Sequence, residues 1–250
     1  MRMFFIRLAQ RLMALTPYEI RNRRRVLPPS TLHPLNLVLA YYKARGGIRT
    51  IVQVGACDGA DDPLVHFIKQ EGARAFLIEP NPEAFALLQK SYAGVPNVTL
   101  IQTAIADKEG EAYLYRLRGG ASQGTDVCYK LGLSSFDRMH LIRNGVKPEE
   151  IEQVSVPCRT LAGIVAEHGL SQIDLLLIDV EGYDGEVVRM ALQMPVRPLC
   201  IECEHSHLPS KDRAPLFALL EAAGYQVGYD RWNLLALRQE VLEAWKNGKE

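Results

Sequence analysis

The stretch Thr50-Ile-Val-Gln-Val-Gly55-Ala-Cys-Asp-Gly59 joins a short apolar run to a turn that contains two glycines. The run lacks the alternation of a half-exposed strand and is typical of a strand buried on both faces of a sheet. Glycines at the carboxyl end of such a strand allow a tight turn and the close approach of a ligand to the backbone. The stretch therefore predicts the first strand of an open α/β sheet.

The same succession of apolar run and helical periodicity continues along the chain. Continuous apolar runs occur at residues 75–78, 98–101, 175–180 and 199–201, and helical stretches at 82–92, 161–168 and 185–192 lie between them. Parallel strands need crossover helices of this kind. The pattern therefore predicts a doubly wound, mostly parallel sheet of the Rossmann-like kind.

Two segments depart from this succession. Residues 111–117 have an aromatic, two-residue periodicity, which predicts an extra strand beside the third. After a helix at 214–223, runs at 225–229 and 234–237 flank residues 230–233, which predicts an antiparallel hairpin at the end of a seven-stranded sheet. Class I methyltransferases, which use S-adenosylmethionine (SAM), have such a hairpin, whereas dinucleotide dehydrogenases usually lack it.

The composition is that of an ordinary globular protein. The 250 residues are 48% hydrophobic and 23% charged, which suits one large α/β domain. Lysine plus arginine and aspartate plus glutamate number 29 each, a balance that disfavours a dedicated nucleic-acid-binding protein. The five cysteines are scattered, which predicts free thiols in a reducing compartment. Cys200 and Cys203 form a C-x-x-C without a second pair, so buried thiols are favoured over a zinc site.

The amino-terminal segment concentrates positive charge. Residues 1–25 contain seven arginines and one acid, whereas the rest of the chain has 22 basic and 28 acidic side chains. We assign residues 1–35 to a basic amphipathic helical arm and residues 36–250 to the folded domain. The arm either packs on the domain or contacts an anionic membrane surface. No run approaches the roughly 18 apolar residues of a transmembrane helix, so we expect a cytoplasmic protein, with peripheral membrane contact as the alternative.

An acid follows the second predicted strand at the position of a nucleoside contact. Glu79 lies 24 positions after Gly55, where a carboxylate accepts both ribose hydroxyls of an adenine nucleoside. A dinucleotide site would have glycine in place of Cys57, and the acids of the turn, beginning with Asp58, would repel a pyrophosphate. SAM carries a sulfonium and an ammonium group instead, so the charges favour SAM.

The run Asp174-Leu-Leu-Leu-Ile-Asp179-Val-Glu181-Gly182 brings two acids to the carboxyl edge of the sheet. Asp179 and Glu181 can position a cationic donor there, accept a proton from the acceptor or bind a divalent ion. The alternative is that they cap a helix that begins at Gly182.

Two histidines follow the run at 199–201 and lie at the same predicted edge. His205 and His207 are either bases or substrate contacts, since histidine titrates near neutral pH, or plain surface residues. A metal ion held by Asp179, Glu204 and His205 lacks a dedicated ligand spacing. No metal site is therefore predicted.

The run that ends in Asp179-Val-Glu181-Gly182 resembles the signature of the FkbM family of SAM-dependent methyltransferases, in which a strand ends in Asp-Val-Glu-Gly. The resemblance covers roughly residues 50–237. The other similar segments follow in the family's order at residues 54–56, 78–82, 104–107, 133–136, 159–161 and 201–204. The resemblance implies the class I methyltransferase fold and SAM as the cofactor.

The resemblance also assigns roles to individual residues. The implied SAM-binding residues are Gln53, Gly55, Ala56, Asp58, Gly59, Glu79, Pro80, Asn81, Ala104, Ile105 and Asp179. Among these, Glu79 is implied to hold the ribose, and Asp179 is implied to face the methyl group. Gln53 stands where the family usually has an acid, so Asp58 or a water is expected to contact the methionine ammonium.

Members of the family mostly methylate hydroxyls of sugars or natural products, so the implied acceptor is a small molecule or a glycan. The candidate catalytic residues are Asp179, Glu181 and His205, because an alcohol needs a proton acceptor as it attacks. Residues 119–133 form either a loop over the acceptor or a plain connection. The alternatives are N-methylation, carboxyl methylation, a nicotinamide-dependent oxidoreductase and a catalytically silent membrane-associated scaffold.

Overall fold

The computed structural model describes residues 34–44, 46–60, 64–118, 131–208 and 210–247. The strands in these ranges are β1 (Thr50–Val54), β2 (Arg74–Ile78), β3 (Val98–Ile101), β4 (Ala104–Ile105), β5 (Gly110–Leu117), β6 (Ile151–Arg159), β7 (Leu175–Ile178), β8 (Cys200–Glu204), β9 (Tyr225–Tyr229) and β10 (Asn233–Arg238). The helices are α1 (Pro34–Ala44), α2 (Val65–Lys69), α3 (Pro82–Ser91), α4 (Arg138–Arg143), α5 (Leu161–Glu167), α6 (Asp184–Gln193), α7 (Ser210–Ala222) and α8 (Gln239–Asn247).

Seven strands form one sheet in the order β3-β2-β1-β7-β8-β10-β9. The first five are parallel, and β10 runs antiparallel to both β8 and β9. This confirms the doubly wound sheet and its C-terminal hairpin. The strand predicted at 175–180 ends at Ile178, which pairs with Val54, and the strand predicted at 199–201 continues to Glu204, which pairs with Asn233. Backbone pairing, rather than hydrophobicity, sets these ends.

Helices cover both faces of the sheet, which explains why the strand runs are apolar without alternation. α1, α2, α3 and α8 pack on one face, around buried side chains such as Leu35 and Ile51. α5, α6 and α7 pack on the other face, around side chains such as Val52. Cys200 and Cys203 are buried free thiols, as predicted, and they lie on opposite faces of the sheet.

The strand predicted at residues 111–117 is present, but its predicted place beside the third strand is wrong. β5 pairs along its whole length with β6 in antiparallel fashion, and β4 pairs with the other side of β6. These three strands form a separate sheet in the order β4-β6-β5. Two-residue periodicity indicates a strand with one covered face and does not identify the strand that pairs with it.

The described chain begins within the folded domain. Leu35 and Val38 of α1 are fully buried against the sheet. Residues 1–33 of the predicted arm and residues 119–130 of the predicted loop lie outside the described residues. In the ranges that the structure describes, no helix is long and apolar enough to cross a membrane.

Candidate active site

The carboxyl ends of β1 and β7 lie side by side at the centre of the sheet, and the chain continues from them toward opposite edges. Open α/β sheets bind ligands at such a switch point. A pocket opens there, and concave sites of this kind bind small molecules and cofactors. It is lined by Val54, Gly55, Cys57, Glu79, Pro80, Thr103, Ala104, Ile105, Leu114, Gly132, Ser134, Ser135, Phe136, Asp179, Val180, Glu181 and Tyr183.

The turn after β1 requires glycine at two positions. Gly55 has a φ of 86°, and a Cβ atom on it would lie 1.7 Å from the carbonyl oxygen of Asp179. Gly59 has a φ of 63°, and a Cβ atom on it would lie 2.6 Å from Cε2 of Tyr92. The first glycine therefore permits the contact between the two strand ends, and the second permits the packing of α3 on the turn.

Glu79 is a buried carboxylate in the pocket wall, with 5% of its surface exposed. Its two oxygens accept hydrogen bonds from the backbone N–H groups of Cys57, at 2.9 Å, and Asn81, at 2.7 Å. Burial raises the pKa of Glu79 to about 7, although these two hydrogen bonds lower it. The carboxylate is thus rigidly held, and a ligand that donates hydrogen bonds would stabilise its ionised form.

Asp179 reaches the pocket from the end of β7. Desolvation is the first cause that raises its pKa to about 7, and the negative charges of Glu181 and Glu204 follow. The side chain is nevertheless exposed toward the pocket. Water in the pocket weakens the shift, and a cationic ligand would lower the pKa further. The site therefore favours a ligand that carries positive charge beside Asp179.

The turn after β7 holds Glu181 in a strained conformation. Glu181 has a φ of 52°, in the left-handed region, which costs a non-glycine residue on the order of 1–3 kcal/mol. The Ser135 hydroxyl donates to the Glu181 carbonyl oxygen at 2.8 Å. The buried Asp184 carboxylate accepts from the backbone N–H of Gly182 at 3.2 Å, and burial raises the pKa of Asp184 well above its usual range. These contacts fix the backbone of the turn at Glu181.

The alternative in which Asp179 and Glu181 cap a helix at Gly182 is wrong. α6 begins at Asp184 with Tyr183 at its N-cap position, and the Tyr183 side chain makes no capping hydrogen bond. Both carboxylates instead line the pocket. The two acids are therefore available to a ligand.

The structure separates the two histidines that follow β8. His205 is buried, its ring packs edge-on against Phe217 and Tyr229, and its Nε2 lies 3.0 Å from the carbonyl oxygen of Asp230. It is not among the residues that line the pocket. The backbone N–H of His205 bonds to the Trp232 carbonyl oxygen, so pairing with the hairpin directs the side chain away from the pocket. The geometry does not support the prediction that His205 is a catalytic base.

His207 and His140 lie next to the acids instead. The Nε2 atom of His207 is 3.2 Å from Oε1 of Glu204, and this contact is the main cause that raises the pKa of His207. The Nε2 atom of His140, on α4, is 2.7 Å from Oε2 of Glu181. No role was predicted for His140, because α4 was not predicted and 41 residues separate His140 from Glu181.

The predicted SAM-binding residues divide into two groups. Gly55, Glu79, Pro80, Ala104, Ile105 and Asp179 line the pocket. The other five are not among the residues that line the pocket: Gln53 and Ala56 are buried, Asp58 accepts the N–H of Ala60, Gly59 bonds to the Ala56 carbonyl, and Asn81 caps α3. The prediction missed three further pocket residues, Leu114, Phe136 and Tyr183. Leu114 belongs to the misplaced strand β5, and no predicted helix or strand carried the other two to the site.

These residues fit SAM by shape and by charge. Ile105, Leu114 and Phe136 form an apolar wall suited to a flat adenine ring. The Glu79 carboxylate suits ribose hydroxyls, and Asp179 suits a cationic sulfonium. A doubly wound sheet with this site at its switch point defines a SAM-dependent methyltransferase with the class I fold.

Comparison with known sequences identifies the family. Residues 53–227 match the model of the methyltransferase FkbM domain, and the chain therefore belongs to the FkbM methyltransferase family. This confirms the family that the Asp-Val-Glu-Gly run predicted. SAM, rather than a nicotinamide dinucleotide, is accordingly the cofactor.

Several characterised proteins are similar to this chain. The 2-O-methyltransferase NoeI of Sinorhizobium fredii (strain NBRC 101917 / NGR234) is 26% identical over 176 residues, which cover 68% of this chain and 69% of that protein. The METTL16 methyltransferase domain matches 88% of this chain and 72% of its own, with 11% identity and a TM-score of 0.46. The N-terminal domain of human METTL16, solved in complex with SAH, matches 93% and 80%, with 12% identity and a TM-score of 0.40.

Proposed function

We propose that the protein methylates a hydroxyl group of a sugar, a glycan or a related scaffold. The observation that carries this proposal is the Asp179 carboxylate, which opens onto the pocket beside Glu181. A hydroxyl is a weak nucleophile and must lose its proton as it attacks, so it needs an acceptor within reach. The name of the relative NoeI, a 2-O-methyltransferase, supports the same reaction.

The proposed chemistry conserves charge within the site. When bound, SAM supplies a methyl group that its sulfonium makes electrophilic. The acceptor hydroxyl, oriented by Asp179, gives its proton to that carboxylate as the new oxygen–carbon bond forms and the sulfur–carbon bond breaks. The positive charge of the donor and the negative charge of Asp179 disappear together. The attraction that favours the bound donor is therefore lost in the product complex.

An exposed aromatic side chain supports a sugar-like acceptor. Trp232 is 51% exposed, in the β9–β10 loop. The Trp232 carbonyl oxygen accepts the N–H groups of His205 and Ser206, and the Ser206 hydroxyl bonds to Glu204. This loop therefore lies at the same edge of the sheet as the pocket. Flat, amphipathic rings of this kind bind ligands with an apolar face and a polar rim.

A product analysis tests the proposal. The full-length protein is incubated with SAM and a panel of nucleotide sugars and oligosaccharides, and methylated products are identified by mass spectrometry before and after alkaline hydrolysis. We expect an alkali-stable methyl ether. An alkali-labile methyl ester, or a methyl group on nitrogen, would contradict O-methylation.

A substitution at Asp179 tests its role separately. Asp179→Asn is expected to lower kcat by about 100-fold or more, in the range of general-base contributions. Binding of S-adenosylhomocysteine (SAH), the product that SAM leaves after methyl transfer, should persist. Asp212→Asn on α7 is the matched control, since Asp212 is not among the residues that line the pocket. An unchanged kcat in Asp179→Asn would contradict the assignment.

We also propose that the protein works in the cytoplasm, where the amino-terminal segment brings it to an anionic membrane surface, and that its acceptor is not a nucleic acid. The seven arginines of residues 1–25 support the membrane contact. The equal numbers of acidic and basic side chains argue against a nucleic-acid acceptor.

A further inference from the structure

We propose that His140, Glu181 and His207 form a binding site for a divalent transition-metal ion at the edge of the pocket. The sequence predicted no metal site, because these residues have no recognisable ligand spacing. In the described part of the chain, each of the three offers one ligand atom, and these atoms lie within 4.8 Å of one another. The three side chains come from α4, the turn after β7 and the loop after β8.

The distances are close to those that a metal ion requires. Zinc bonds to histidine nitrogen and carboxylate oxygen are about 2.0–2.2 Å long, so neighbouring ligand atoms lie about 3 Å apart. Oε2 of Glu181 is 2.7 Å from Nε2 of His140 and 3.8 Å from Nε2 of His207. Oε1 of Glu204 is 3.2 Å from Nε2 of His207 and offers a further oxygen. Small side-chain rotations therefore suffice to surround one ion.

The chemistry of the group selects a class of ion. Two imidazole nitrogens and a carboxylate suit Zn²⁺, Fe²⁺, Co²⁺ or Mn²⁺, whereas Mg²⁺ prefers oxygen ligands. Nε2 of His140 also lies 3.1 Å from Nδ2 of Asn144, but that amide donates to the His140 carbonyl oxygen at 3.0 Å. Asn144 therefore keeps a partner when the His140 nitrogen turns its lone pair toward an ion.

The fold holds this group in place independently of any ion. His140 is 3% exposed, and Nδ1 of its ring lies 3.3 Å from the position that a Cβ atom on Gly182 would occupy. The Ser135 hydroxyl fixes the backbone of Glu181 through its carbonyl oxygen. Two ligands are thus positioned before binding, which lowers the free-energy cost of assembling the site.

The use of this ion in catalysis rests on the proposed function. Glu181 lines the pocket two residues after Asp179, so an ion on Glu181 would lie at the edge of the pocket, close to the proposed base. It would bind the acceptor hydroxyl oxygen and favour its deprotonation, with the proton passing to Asp179. The binding of the ion itself does not depend on this role.

Metal titration of the full-length protein tests the site directly. After treatment with a chelator, the protein is titrated with Zn²⁺ by calorimetry and with Co²⁺ by visible absorption, with Mg²⁺ in parallel. We expect one Zn²⁺ or Co²⁺ per chain. The variants His140→Ala and His207→Ala should each lose more affinity than the roughly 10–100-fold that the loss of a supporting residue costs. His66→Ala is the control, since His66 contacts Glu71 outside this group.

SAH binding by each variant shows whether it is folded and separates this inference from the proposed function. The metal site is overturned if the wild-type protein binds SAH but no Zn²⁺. It is also overturned if His140→Ala keeps the wild-type affinity for SAH and binds Zn²⁺ as tightly as the wild type. Metal binding that needs both histidines supports the site, even where no methylated product forms. If His140→Ala fails to bind SAH, His207→Gln provides the same comparison from the more exposed loop.

Discussion

Binding of SAH, the product form of the cofactor, should weaken below neutral pH because Glu79 holds a proton there. Burial raises the pKa of Glu79 to about 7 in the ligand-free protein, whereas ribose hydroxyls donate to its ionised form. Binding therefore requires the loss of this proton, so the affinity falls as the pH drops through the pKa and levels off above it. Between about pH 8 and about pH 6 we expect a tenfold loss, or about 1.4 kcal/mol.

Calorimetric titration measures both the affinity and the proton. In two buffers with different ionisation enthalpies, the difference in heat should show that about one proton is released per ligand bound at about pH 6. Methylthioadenosine, which keeps the ribose and lacks the amino-acid end, isolates the contribution of Glu79. Glu79→Gln should lose both affinity and pH dependence. Glu83→Gln, a substitution of a more exposed carboxylate on α3, should retain both.

An equal affinity at both pH values, or proton uptake on binding, would refute the assignment of Glu79 as the ionised ribose ligand. Stability gives an independent check. Because the folded pKa of Glu79 lies above its ordinary value of 4.5, the native state keeps a proton that the unfolded chain releases. The free energy of unfolding without ligand should therefore fall as the pH rises from about 4.5 to about 7, by about 3 kcal/mol at most.

Three further changes test other parts of the structure. Gly55→Ala should abolish SAH binding, because the new Cβ would lie 1.7 Å from a backbone oxygen. The control is Gly72→Ala, where φ is 72° and nothing lies within 4 Å of the new Cβ. It should lower the free energy of unfolding, measured by chemical denaturation, by only about 1 kcal/mol. Asp184→Ala should lower the free energy of unfolding by about 1 kcal/mol, since the Gly182 N–H loses its acceptor in a part-buried hydrogen bond; an unchanged value would mean that the turn does not depend on it. Removal of residues 1–25 should reduce sedimentation with anionic vesicles, and equal sedimentation would contradict the membrane contact.

The central sheet was predictable because the physics of its strands is local. A strand buried on both faces must be apolar throughout, and the glycine turn at Gly55 and the acids at Glu79 and Asp179 follow such strands directly. The observed strand ends differ from the predicted ones by a few residues, because backbone pairing continues past the apolar run in one strand and stops before its end in another. The positions of Gly55, Glu79 and Asp179, each of which depends on one strand and the turn directly after it, were therefore within reach of the sequence.

The second sheet and the surroundings of Glu181 depend on contacts between distant segments. β5 alternates as a half-covered strand does, but its partner β6 lies after the segment at 119–130 and α4. The same separation hides His140, whose contact with Glu181 spans 41 residues. His205 was assigned to the site because it follows β8, yet pairing with the hairpin turns its ring toward Phe217 and Tyr229. No local pattern encodes these choices.

The spacing of the Asp-Val-Glu-Gly run follows from the different tasks of its residues. In an extended strand, Asp179 and Glu181 would lie on the same face, because side chains two positions apart do so. The left-handed backbone of Glu181, with a φ of 52°, breaks this relation and turns its carboxylate toward His140 and His207, while Asp179 stays in the pocket. Gly182, with a φ of 99°, completes the turn, and a Cβ atom there would approach His140 to 3.3 Å. One short turn therefore gives two carboxylates that are only two positions apart in the chain different surroundings.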